Sequence, residues 1–201
     1  MCLLFESIKI RDGRHFLLNL HEKRLNKTRR ALFGTTKRLY LKEELTIPKI
    51  YRKGLVKCRI LYDKYLRKTE FVHYEMKIIK HLKIMTSDDI EYRYKLTDRS
   101  AFEKLKPEDT EHTEIIIVKK GFVTDTSYAN LAFFNGNEWH TPAQPLLKGV
   151  QREHLLKLGM IREREIREKD LKNYKTVRLI NAMLDFEEYQ LELDMKIIEN
   201  S

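Results

Sequence analysis

Cysteine is scarce: Cys2 and Cys58 are the only two in 201 residues. Two thiols cannot build a disulfide framework, so the expectation is a reducing compartment in which both side chains simply pack. Long apolar runs are missing as well. The most apolar stretch, "IIIV" at 115–118, is far shorter than the roughly 20 residues that span a bilayer. The opening "MCLLFESIKI" has no basic leader and no sustained apolar segment before Glu6, and so fails as a signal peptide. A soluble cytoplasmic protein with no membrane partner is expected. There is no Cys/His cluster at zinc spacing, no Walker glycine loop and no G-x-S-x-G elbow, which excludes most familiar enzyme classes. No histidine is assigned a metal or catalytic role, and neither repeats nor low-complexity tracts interrupt the chain.

What is present is a globular composition with a basic excess. Hydrophobic residues make up 42%, enough for a real core in one domain or two small ones. Forty Lys and Arg stand against thirty Asp and Glu, a formal charge of +10. Such a surface draws anions of any kind, from phosphate esters and carboxylates to nucleic acid, and charge alone does not choose among them.

The pattern along the chain is mixed. "LLFESIKI" and "HFLLNL" flank "RDGR", and an Asp-Gly pair between apolar runs predicts an opening hairpin. From Leu20 the period becomes helical through Leu25, Thr28 and Leu32, and Gly34 stands where a left-handed residue would close the helix. "LVKCRILY" and "EFVHYEMKII" read as strands joined by "DKYLRKT". In the second half, "RSAFEKL" reads as helix, "TEIIIV" as a buried strand, "KKGF" as a turn and "NLAFFNGNEWH" as a hairpin turning at Asn135-Gly136. "GVQREHLLKLG" is a short helix, "EKDLKNY" another turn or two, and "TVRLINAML" and "EEYQLEL" are strands. The whole is α+β, with a small domain over 1–85 and a larger one over 86–201. Trp139, beside a hairpin, is expected to anchor at the surface.

The polar residues at element ends each have an ordinary explanation when taken singly. Arg24 lies on a helix full of basic residues, Lys95 is one of many lysines, and "LKGVQR" at 147–152 is a common kind of helix start. Asp125, followed by Thr126 and Ser127, is the sort of residue that caps a turn.

In order along the chain they are more specific. "HEKRL" at 21–25, "YKLTDRSAF" around Lys95, "GFVTDTSYANLAFF" around Asp125, "LLKGVQREHLL" and "LINAML" together resemble the class IV aminotransferases, the fold-type IV pyridoxal-phosphate enzymes. The resemblance runs over nearly the whole chain and is strongest in the second half. It implies the two-domain architecture of that fold type, with a cofactor site at the junction, and a homodimer acting on a small anionic amine. It places Lys95 as the Schiff-base lysine and proton carrier, and Asp125 as the acid facing the ring nitrogen of pyridoxal 5′-phosphate. Arg24, Gly149, the N–H groups of Val150 and Gln151, and Ala182 with Met183 fall at the phosphate. Arg59, in "KCRILYD", falls near a substrate carboxylate.

Within that family the Lys95 to Arg99 spacing is nearest the 4-amino-4-deoxychorismate lyase branch, which releases pyruvate and forms 4-aminobenzoate in folate biosynthesis. Three departures bear on the implied chemistry. Asp125 stands where most members carry Glu, Ser100 where many aminotransferases carry a tyrosine, and the start is shorter than the family's. A branched-chain or D-amino acid aminotransferase is the alternative. A non-catalytic basic protein binding RNA or another polyanion is a distant third, and no RNP, KH or C₂H₂ signature accompanies it.

Overall fold

The computed structural model describes residues 2–107, 111–187, 191–192 and 198–200. The chain divides into two compact units, Met1–Glu75 with Tyr94–Asp98, and Met76–Arg93 with Arg99–Ser201.

The first unit is a four-stranded antiparallel sheet in the order β2-β1-β3-β4, with a helix lying on one face. β1 (Leu4–Arg11) turns through Asp12 and Gly13, both at positive φ, into β2 (Arg14–His15). The Asp-Gly hairpin is present, but its second strand is only two residues long. Phe16 N–H returns to Lys9 O, and Leu17 adopts φ 52. The rest of "HFLLNL" therefore enters α1 (Leu18–Phe33) instead of extending the ladder. Gly34, at φ 64, closes α1 by donating its N–H to Arg30 O. After the short α2 (Leu41–Glu44) and a 3-10 turn at Lys49–Tyr51 come β3 (Leu55–Tyr62) and β4 (Leu66–His73). Asp63 Oδ1 accepts the Tyr65 N–H at 2.8 Å. That tight turn draws "LRKT" into β4, where the sequence pattern suggested a longer connection.

Alternation decides which side of this sheet is buried. Leu4, Ile8 and Ile10 of β1 and Val56, Cys58, Ile60 and Tyr62 of β3 meet Leu25, Leu41 and Leu45. The α1 residues facing them are Leu20, His21, Leu25, Thr28 and Arg29, a helical stripe that is only partly apolar.

The second unit holds two sheets. One is ordered β13-β5-β6-β7, with β5 (His81–Thr86), β6 (Thr113–Lys119) and β13 (Ile198–Asn200) parallel and β7 (Phe122–Val123) antiparallel to β6. The connection from β5 to β6 carries α3 (Ser100–Glu103). The other sheet runs β10-β9-β8-β11-β12, from β8 (Asn130–Phe134), β9 (Trp139–Pro142), β10 (Arg162–Arg164), β11 (Thr176–Ile180) and β12 (Leu191–Glu192). Of the predicted "EEYQLEL" strand, Leu191 and Glu192 pair with β11, while 188–190 and 193 lie outside the described residues. Leu131 and Phe133 of β8 join a core with Leu82, Ile84, Ile116 and Val118. Ala132, pointing the other way, meets Leu155 of α4 (Val150–Lys157). Trp139 is packed against Phe134 and Phe186, with the Arg178 guanidinium 4.5 Å from its ring centroid, and is not the surface anchor expected.

Candidate active site

In the first unit the candidates gather on β1 and its neighbours. Glu6, at an inward position of β1 between Leu4 and Ile8, is fully buried in an otherwise apolar row. It survives there because two α1 residues one turn apart, His21 and Arg24, reach down to it. Arg24 donates from Nε to Oε1 at 2.9 Å and from Nη2 to Oε2 at 2.5 Å, and His21 Nδ1 lies 2.7 Å from Oε2. Burial alone would raise the pKa of Glu6. The charge of Arg24 and the hydrogen bonds from both partners overcome this and hold it at about 2. The same burial pushes the His21 pKa down, against the pull of Glu6, and the charges of Arg24 and Lys95 add to that fall. Lys95 follows Tyr94 in the short segment that joins this unit, where its carbonyl accepts the Phe5 N–H at 3.0 Å and Leu96 bridges Leu4. Lys95 Nζ lies 4.6 Å and Arg59 Cζ 4.9 Å from the Phe5 ring centroid, so one aromatic ring serves two of the predicted site cations.

In the second unit Asp125 follows β7 and is 4% exposed. Its backbone carbonyl still pairs with Ile117 N–H of β6, so the side chain is presented from an ordered segment. Oδ1 accepts from Asn130 Nδ2 at 2.7 Å, and Oδ2 accepts from the Leu147 backbone N–H at 2.9 Å. Burial raises this carboxyl to about 7, against the opposing effects of those two bonds and of the Arg152 charge. Arg152 is itself buried, donating to Thr141 Oγ1, to Pro142 O and to Glu163.

The turn that opens α4 lies next to this acid in the bonding pattern. Gly149 is its N-cap, in extended conformation and with no side-chain cap bond. The N–H groups of Val150 and Gln151 have no acceptor within the helix. A Cβ at Gly149 would collide with Oδ1 of Asn130. Ile180 of β11 pairs with Asn130 of β8, so the Asn181–Met183 turn leaves the sheet at the end where Asn130 sits. There Met183 donates its N–H to Asn181 Oδ1 at 2.8 Å.

The pattern of residues did not reveal Glu6, Asn130 or Arg152 as parts of these clusters. Asn130 stood inside the quoted "DTSYANLAFF", but its contact with Asp125 depends on how the segment folds back. Arg152 was one basic residue on a helix start, and Glu6 one acid in a strand.

Residues 3–186 match the family model for amino-transferase class IV, and the chain belongs to that family. It is accordingly a pyridoxal-phosphate-dependent lyase or aminotransferase. An uncharacterized protein of Haemophilus influenzae is 37% identical over 182 residues, covering 90% of this chain and 97% of its own. A crystal structure of a "putative 4-amino-4-deoxychorismate lyase" from Haemophilus somnus is 34% identical, with a TM-score of 0.82, covering 91% of this chain and 97% of that one. A "putative amino-acid aminotransferase" from Mesorhizobium loti, 18% identical with a TM-score of 0.79 and full coverage of both chains, shares the fold.

The residues of the second unit fit the cofactor on two counts. A buried acid with both oxygens oriented by N–H donors suits a cationic ring nitrogen. A helix start whose glycine has no room for a side chain suits a phosphate approached closely by backbone. Among the described residues no helix is long and apolar enough to cross a membrane.

Proposed function

We propose that this chain is a pyridoxal-phosphate lyase acting on 4-amino-4-deoxychorismate, releasing pyruvate and leaving 4-aminobenzoate. The observation that carries the reading is Asp125, buried, doubly hydrogen-bonded and raised to about 7. When bound, the cofactor withdraws into its protonated ring the electrons released at the substrate carbon that bears the amine. Asp125 holds the proton at the ring nitrogen: a carboxylate that burial makes costly gains most from a cation beside it. As Asp it reaches less far than Glu by one methylene, roughly 1.5 Å, so either the ring sits closer to it or a water bridges the two.

Lys95 would supply the amine that holds the cofactor through its aldehyde, and its Nζ, once displaced by the substrate amine, would move the proton at the substrate carbon. Arg24 and the N–H groups of Val150 and Gln151 hold the phosphate, with Gly149 admitting it and Ala182 and Met183 alongside. Arg59 takes a substrate carboxylate. The lyase is favoured over an amino-acid aminotransferase by Ser100, where many aminotransferases carry a tyrosine, and by the 34% identity to the Haemophilus somnus protein over nearly the full length of both chains. A substrate with two carboxylates also suits a chain of formal charge +10. We place the enzyme in the cytoplasm as a homodimer.

The test combines a covalent trap with a product assay. Borohydride reduction of the protein with pyridoxal phosphate, followed by mass mapping, is expected to leave a pyridoxyl group on Lys95. Incubation with 4-amino-4-deoxychorismate is expected to yield pyruvate and 4-aminobenzoate in equal amounts. Conversion of the cofactor to its amine form by an amino donor, without those products, would move the assignment to the aminotransferase. Absence of any adduct would remove both.

A further inference from the structure

We infer that Asn130 is a positioning residue that holds the acid at the ring nitrogen and the phosphate-binding turn in one register. The inference rests on the cofactor reading above and deepens it. Asn130 Nδ2 donates to Asp125 Oδ1 at 2.7 Å and to Leu147 O at 2.8 Å, and Leu147 N–H donates to Asp125 Oδ2 at 2.9 Å. These three bonds close a ring through the acid, the amide and the segment just before Gly149. The remaining amide atom, Oδ1, occupies the space where a side chain at Gly149 would begin. Asn130 is itself pinned by the backbone ladder, opposite Ile180.

Chemistry narrows the residue to asparagine. Its NH₂ offers two hydrogens, one for each acceptor, on a short planar arm. Serine or threonine has one donor, aspartate has none when ionised, and glutamine would place the amide roughly 1.5 Å too far. A change at this one side chain therefore alters the acid's charge state and the phosphate turn together, although only the acid is expected to touch the ring.

The experiment follows pyridoxal phosphate binding by the full chain through the cofactor's absorbance, on both sides of the Asp125 pKa of about 7, with circular dichroism verifying the fold. Asn130→Ala is expected to weaken binding about ten- to a hundredfold, the range for removing a hydrogen bond to a charged group. Asn130→Asp keeps the shape and serves if the alanine variant does not fold. Its two carboxylates can share one proton, so binding should approach the wild type on the acid side and fail on the alkaline side, where both ionise. Gly149→Ala should weaken binding in the wild type and add little in the Asn130→Ala background, a departure from additivity. Wild-type affinity and pH profile in both Asn130 variants would overturn the inference, as would an equal cost of Gly149→Ala in both backgrounds. Failure of the wild type itself to take up the cofactor would instead overturn the reading on which this role depends.

Discussion

Arg24 grips Glu6 with two nitrogens, at 2.9 and 2.5 Å, and the carboxylate is completely buried beneath it. The arginine that the resemblance assigns to the cofactor phosphate is thus held by Glu6 through two of its nitrogens. Charge-assisted, two-pronged pairing fixes the plane of a guanidinium in a way that a single contact does not. His21 completes the arrangement through its own 2.7 Å contact with the same acid.

Removing that acid has a consequence with a defined pH window. Glu6 sits at about 2 in the fold against an ordinary value of 4.5, so its stabilisation is full above 4.5 and disappears as pH falls toward 2. Glu6→Gln should cost on the order of 3 kcal/mol at neutral pH, since each pKa unit corresponds to about 1.4 kcal/mol. The measurement is denaturant unfolding from neutral to acid pH. The gap between the wild-type and variant curves should shrink steadily below pH 4.5 and close only near pH 2, and a constant gap would contradict the assignment.

Asp125 behaves in the opposite sense. Its carboxyl is raised from 3.8 to about 7, so the fold favours the protonated form. Without cofactor, the protein should lose stability as pH rises from about 4 to 7, while Asp125→Asn stays flat across that window. Turnover in Asp125→Asn should fall by about a hundredfold or more, as when other fixed electrostatic partners are removed. Thermal melts of the cofactor-free protein and steady-state rates of the loaded enzyme test the two halves separately.

Arg152 lowers the pKa of Asp125 through its charge, while its own donors serve Thr141 and Pro142. Arg152→Met should therefore displace the Asp125 window to higher pH as well as destabilise the fold, by roughly 2–4 kcal/mol for the buried acceptors left unmatched. A pH titration of stability in this variant, set beside Asp125→Asn, separates the displacement from the general loss. If Arg152→Met leaves the window in place, the electrostatic link is wrong.

Cys58 is fully buried in β3, and that burial pushes its thiol up to about 12, whereas Cys2 is exposed. Alkylation of the folded protein at mild alkaline pH should label Cys2 promptly and Cys58 only at the rate of unfolding. Mass analysis of tryptic peptides over time reads both. Equal labelling of the two would place β3 outside the core.

Local turns were legible because their conformation is decided within a few residues. Asp12-Gly13 and Asn135-Gly136 turn hairpins where expected, and Gly34 closes α1, since only a small set of residues adopts positive φ readily. Apolar patterning identified β3 as a strand, and the unbroken apolar run of β6 identified it as a buried one. The brief second strand of the first hairpin was not legible. "HFLLNL" suits either state, and the bond from Phe16 to Lys9 with the left-handed Leu17 chose the helix.

By itself the sequence determined which reactive groups the chain carries, in what order, and where its glycines permit sharp turns. Tertiary structure alone decided what those groups are. Asp125 is a carboxyl near neutrality because it is buried beside a side chain five positions away, a backbone N–H twenty-two positions away and a guanidinium twenty-seven positions away. Glu6 is a permanent anion because an arginine and a histidine on a separate helix cover it. Desolvation and charge depend on distance through space, and separation along the chain does not reveal it.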